Sequence, residues 1–156
     1  MKTRELQTLW WDWLGTSERL LRSLHEQTAA VTLRDVARVE RIQPELDALL
    51  ERVKSIDETA AACAKKLAEE LGTEPNLRSL VCALEKAEAQ QLQGLANRVM
   101  VAARNLQEVF AKNRALIENE LTYVNGSLTM IAKAAVETNG KFGVRGQNAV
   151  LVDHAA

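Results

Sequence analysis

The segment LRDVARVERIQPELDALLERVKSIDETAAACAKKLAEEL, Leu33 to Leu71, decides the fold. Its apolar residues are Val39, Ile42, Leu46, Leu49, Val53, Ile56, Ala60, Cys63 and Leu67, and the steps between them alternate 3 and 4 throughout. That is a heptad seam, so the spacing predicts one long helix with coiled-coil packing. Pro44 lies early in it, lacks an amide donor, and predicts a kink in the first turns. Thr32 with Asp35 three residues later predicts a weak capping box at the start. Gly72 suits the residue just past the helix end, and TEPN makes the turn that follows.

Outward from this segment, the chain stays helical in pattern. Before it, Leu6, Leu9/Trp10, Trp13/Leu14, Leu20/Leu21 and Leu24 form the stripe of an amphipathic helix from about Thr3 to Ala30, slightly weakened by Gly15. After it, a helix starts near Asn76 or Leu77 and is read as one long, bent helix to about Glu137. Its first stripe is Leu77, Leu80/Val81, Leu84; the next is Leu92, Leu95, Val99, Ala102, Leu106, Val109/Phe110, Asn113. Gly94 is the place where it could divide. No period-2 strand pattern occurs. The expected fold class is all-α: an antiparallel long-helix bundle or coiled-coil hairpin of three helices, four if the last one divides. Residues 1–137 form the expected helical domain. Residues 138–156, with Gly140, Gly143 and Gly146, form an expected flexible C-terminal tail.

Composition narrows the function classes. The chain has 156 residues, 47% hydrophobic and 26% charged, with 20 basic and 21 acidic side chains for a net charge of -1. That balance fits a soluble helical domain and asks for neither nucleic acid nor an anionic membrane as partner. MKTRELQTLWWDWLG is charged from its second residue and has no secretory h-region, and no apolar run approaches the roughly 18 residues of a membrane span. The expected compartment is the cytoplasm, where Cys63 and Cys82 are simplest as buried thiols. The chain is not read as an enzyme, and neither cofactor nor metal is expected. His25 and His154 sit in no metal-binding pattern, and GKFGVRG follows no strand that would make it a phosphate loop. Trp10 and Trp13 fall on the apolar stripe, while Trp11 falls on the other face with Arg4 and Glu18, where partial cover by neighbouring side chains is expected. Lys65, Lys66, Glu69 and Glu70 are expected on a solvated face.

A length argument singles out NRALIENELTYVNGSLTMIAKA, Asn113 to Ala134. The Leu33–Leu71 helix is about 58 Å long at 1.5 Å per residue. An antiparallel neighbour starting after Gly72 draws level with its far end near Ala115. Residues beyond about Leu116 are then expected to project past the bundle. The seam also changes there: Val109, Asn113, Ile117 and Leu121 step by 4, a stutter that locally unwinds a coiled coil. Asn113 falls on the seam, either fixing register or hydrated at the bundle mouth. Ile117, Leu121, Val124, Leu128 and Ile131 thus form an apolar face without an expected internal partner, the mark of a binding surface. Asn125-Gly126 would let the segment bend to what it binds; the alternative is a break there, with the rest folding back on the bundle.

The order of a short Leu-rich amphipathic helix, a long heptad helix ending in LG, and a long helix carrying NLQEVFAKNRALIENELTYVNGSL resembles the FlgN family of flagellar type III export chaperones. Asn105 and Asn113 ahead of ALIENEL, and the glycine-containing NGKFGVRGQ, complete the resemblance. It implies a cytoplasmic chaperone that binds the terminal helices of hook–filament junction (hook-associated) proteins, keeps them soluble and delivers them to the export apparatus. The family's client-binding region near the C-terminus maps onto the helix after about Ile117 and onto the tail. The expected partner-binding residues are Ile117, Leu121, Tyr123, Val124, Leu128, Met130, Ile131, Phe142 and Val144. The competing reading is a structural coiled-coil protein whose C-terminal helix self-associates in a homodimer.

Overall fold

Two helix ends show how the sequence sets the turns. In the computed structural model, which describes the backbone of residues 2–139 and the side chains of residues 2–119, α1 runs Arg4–Thr32 and α2 runs Val36–Leu71. Gly72 takes the left-handed conformation at φ 66° that ends α2, and the Thr73 amide donates back to the Ala68 carbonyl at 2.9 Å. Arg34 does the same for α1 at φ 55°, with the Asp35 amide donating to the Ala30 carbonyl at 2.9 Å. Asp35 then caps α2, its side chain accepting from the Arg38 amide at 3.1 Å. The expected capping box does not form, because Asp35 is itself the cap and Thr32 is the last residue of α1. Thr32 closes α1 instead, donating from its hydroxyl to the Thr28 carbonyl, because three residues are needed for the turn. α2 continues through Pro44, whose ring lies on the exposed side.

The third helix divides, but not at Gly94. α3 covers Leu77–Ala83 and α4 covers Lys86–Asn139. Asn76 caps α3, accepting from the Ser79 amide at 2.8 Å. The break falls at Leu84, which is extended (φ -96°, ψ 160°). The physical reason is the stripe itself. A continuous helix would carry the apolar side from Leu80 and Leu84 onto Glu88. The break re-phases the chain, so that Ala89, Leu92, Leu95 and Ala96 turn inward. Glu88 meets the start of α1 instead: the Thr3 amide and hydroxyl both donate to its Oε1, at 2.8 and 2.7 Å. Thr3 is fully buried and its hydroxyl also accepts from Gln7 Nε2 at 2.8 Å. These bonds, the hydroxyl's first, hold the Glu88 carboxyl below the usual carboxylate range.

The chain falls into two units, Met1–Ala111 and Lys112–Ala156. The first contains two apolar clusters. One joins Trp13, Leu20, Leu24 and Ala30 of α1 to Ile42, Leu46, Leu49 and Ile56 of α2 and Leu106 of α4. The other joins Leu6 of α1, Ala60, Leu67 and Ala68 of α2, Leu80 of α3 and Leu92 of α4, with Trp10, Cys63 and Leu84 packed against it. Every seam residue predicted for α2 is buried or half-buried. Burial of each such side chain contributes roughly 1.5–3 kcal/mol, so this seam is the main reason the unit holds together. All described elements are helices, and no described residue lies in a strand.

Cys82 corrects one expectation. It is exposed on α3, since Leu77, Leu80, Val81 and Leu84 take the inner side of that short helix. Cys63 is half-buried against the second cluster; desolvation pushes its thiol pKa up, and nearby Glu5 adds to the effect.

Candidate functional site

The segment after Asn113 begins with a clear division of faces. Asn113 is 2% exposed, Leu116 and Ile117 are half-buried, and Arg114, Ala115, Glu118 and Asn119 are exposed. Asn113, which falls on the seam, is therefore buried. On the outer face Arg114 Nε and Glu118 Oε1 stand 3.1 Å apart at helical spacing, with side chains 82% and 63% exposed. A pair this solvated adds at most a few tenths of a kcal/mol to the helix.

α4 does not break at Asn125-Gly126; its backbone is helical to Asn139. Positions 117, 121, 124, 128 and 131 step by 4, 3, 4 and 3 on that continuous backbone, the spacing of one helical stripe. Of the expected partner-binding residues, Ile117 is described and half-buried. Leu121, Tyr123, Val124, Leu128, Met130 and Ile131 lie on the described backbone, but their side chains are outside the described residues, and Phe142 and Val144 lie outside them altogether.

The tryptophans divide three ways. Trp13 is buried in the first cluster and Trp10 is half-buried against the second. Trp11 stays 50% exposed, covered on one side by the Arg98 guanidinium, 4.9 Å from the ring centroid. The spacing of Trp11 with Arg4 and Glu18 anticipated partial cover, but nothing in the sequence pointed to Arg98 as the cover, because the contact joins helices 87 positions apart. Val101 and Met100 also remain exposed, at 56% and 48%.

Convergent chemistry is not a feature of these surfaces. Among the described residues no three acidic, histidine or cysteine side chains come together as a metal site. No described helix is long and apolar enough to cross a membrane. Lys65, Lys66, Glu69 and Glu70 are exposed, as expected of a solvated face.

The sequence pattern of one protein family, described as FlgN protein, matches residues 1–149. Curated proteins and solved structures give no match.

Proposed function

We propose, for a chain that belongs to the FlgN family of flagellar export chaperones, that its clients are hook–filament junction proteins and that the C-terminal half of α4 holds them. The observation that carries this reading is the uninterrupted helix from Lys86 to Asn139. It keeps Ile117, Leu121, Val124, Leu128 and Ile131 in one stripe, although the sequence offers Asn125-Gly126 as a place to break. A client's terminal helix lays its own apolar side against this stripe, helix against helix. Tyr123 and Met130 flank it. The flexible thioether chain of Met130 accommodates more than one client surface. Residues 138–156 act as a tail that closes over the bound client through Phe142 and Val144.

Residues 1–137 serve as the chaperone domain, with the long helices antiparallel. Support comes from the clusters: Leu6, near the start of α1, shares one with Leu67, near the end of α2, while Ala30 and Ile42 share the other. The protein acts in the cytoplasm, and passes its client to the export apparatus. The test is a pull-down of a purified hook-associated protein by the wild type and by the double variant Val124→Asp/Leu128→Asp, with a thermal melt of each. Lost binding with an unchanged melt is the expected result. Retained binding with a normal melt rejects the site.

A further inference from the structure

Two stretches of α1 and α2 repeat one pattern. Arg19, Arg22, Ser23 and Glu26 stand in α1 at the same relative spacing as Arg38, Arg41, Ile42 and Glu45 in α2. They line two adjoining pockets on the α1–α2 face, of about 210 and 270 Å³, which share Glu26 and Glu45. One inward position in each set forms the floor: Ile42 is 7% exposed and Ser23 6%, whereas Arg19, Arg22, Arg41 and both glutamates are exposed. Ile42 joins the first apolar cluster. Ser23 sets a hydroxyl at the equivalent place.

That hydroxyl has no partner: among the described residues, Ser23 Oγ is the buried side-chain polar atom left without a hydrogen bond. Other helical hydroxyls donate to the preceding turn, Ser17 to the Leu14 carbonyl at 2.7 Å, Thr28 to the Leu24 carbonyl at 3.0 Å and Thr59 to the Ser55 carbonyl at 2.9 Å. A buried donor without a partner destabilises a fold, and alanine at the same place would not. The charges around it are open as well. Arg22–Glu26 and Arg41–Glu45 have the spacing and order of Arg114–Glu118, which pairs at 3.1 Å. Neither forms an ion pair among the described residues, and Arg19 forms none either.

We propose that the pocket of Arg19, Arg22 and Ser23 binds an oxyanion of the phosphate class. Two guanidiniums three residues apart on one helix face offer forked donors that match phosphate oxygens, and the Ser23 hydroxyl adds a donor from the floor. A water molecule satisfies the hydroxyl alone and leaves both guanidiniums without an anion. Glu26 and Glu45 oppose a bare dianion, but their carboxylates accept from hydroxyl groups. A phosphate monoester that carries hydroxyls, such as a nucleotide, therefore suits the pocket better than the free ion. The exposed side chains of the rim change rotamer quickly and part to admit it. The neighbouring pocket of Arg38, Arg41 and Ile42 has the same charges without the hydroxyl, which makes it an internal control. The site is independent of the client reading above.

The experiment titrates the full-length protein with inorganic phosphate and, separately, with adenosine monophosphate, while sodium chloride holds the ionic strength constant. NMR follows the Ser23 amide and the Nε–H groups of Arg19 and Arg22. Saturable shifts at these groups are expected, with adenosine monophosphate the tighter ligand. Equal or tighter binding of inorganic phosphate keeps the site and assigns it to the free ion. Arg22→Gln and Ser23→Ala should each weaken binding about tenfold. Ser23→Ala should melt no lower than the wild type, since it removes an unpartnered donor. Arg41→Gln, in the pocket without the hydroxyl, should leave affinity near the wild type's. Shifts that stay linear with both probes overturn the site, and so does undiminished binding by Ser23→Ala. Equal losses in Arg22→Gln and Arg41→Gln also overturn it, by showing a diffuse basic surface.

Discussion

The α2 seam and the stripe from Ile117 to Ile131 share one sequence pattern, yet their surroundings differ. The seam of α2 has partners from α1, α3 and α4 inside its own unit. The second unit, among its described residues, consists of the last part of one helix. The same 3–4 spacing therefore means core in the first place, whereas for the second we propose an interaction surface. Spacing reports that a face is apolar; only the number of neighbouring elements tells what covers it.

The largest expected effect breaks the comparison on the core side. Leu49 is 4% exposed in the first cluster. Leu49→Asp removes packing worth roughly 2–5 kcal/mol and adds the desolvation of an unpaired carboxylate. Against a total stability of about 5–15 kcal/mol for a domain, most of the cooperative melt should vanish. Circular dichroism measures this directly, and a melt like the wild type's would mean the α2 seam is not the core. The Val124→Asp/Leu128→Asp variant places the same charges at the same spacing in the other region. It is expected to lose client and keep its melt. If both variants unfold alike, the two stripes are both core and the contrast disappears.

How far the sequence could be read follows from the same distinction. The α2 seam was legible to the residue, because nine positions repeat one pattern and each is buried or half-buried. The division at Leu84 was not legible. No Pro or Gly marks it, and Gly94, the residue that suggested a break, lies within α4. What decides it is tertiary: continuing the helix would turn Glu88 toward the apolar side, whereas breaking it gives that carboxylate the Thr3 amide and hydroxyl. The buried polar residues of α1 were equally hidden. Thr16, Ser17 and Gln27 fall between stripe residues and are each under 8% exposed. Of the candidate surfaces, the stripe beyond Asn113 could be found by spacing and length.

The two turns of the first unit sharpen the comparison at intermediate size, since they set which helices the α2 seam meets. Gly72 and Arg34 hold the same left-handed backbone, which costs an L-residue about 1–2 kcal/mol. Gly72→Ala should lose about that much, and the open space around its Cβ means no clash adds to it. Arg34→Gly removes the same strain, against which stand the chain entropy gained in the unfolded state and the loss of the Arg34 side chain's own interaction. It should therefore cost less than Gly72→Ala, and urea titration compares the two midpoints. A larger fall of the midpoint for Arg34→Gly than for Gly72→Ala would mean that backbone strain is not what separates these turns.

The smallest effect is a pH dependence confined to the first unit. Glu88 ties the start of α4 to Thr3, and the hydroxyl and amide of Thr3 lower its carboxyl pKa in the folded protein. A carboxylate with a lowered folded pKa adds stability that is fully present above its unfolded value, about 4.3. That stability is lost as the pH falls through the folded value. Glu88→Gln keeps the side chain's shape and one accepting oxygen but removes the titrating charge. At neutral pH it should melt slightly below the wild type, and the gap should close as the pH falls below about 4. Thr3→Val should show the same convergence, because it removes the hydroxyl donor that contributes most to the shift. Client affinity of Glu88→Gln at neutral pH should match the wild type, since the tie belongs to the first unit and not to the Ile117–Ile131 stripe. A melting gap that stays constant from neutral to acid would mean the tie contributes through shape and not through charge.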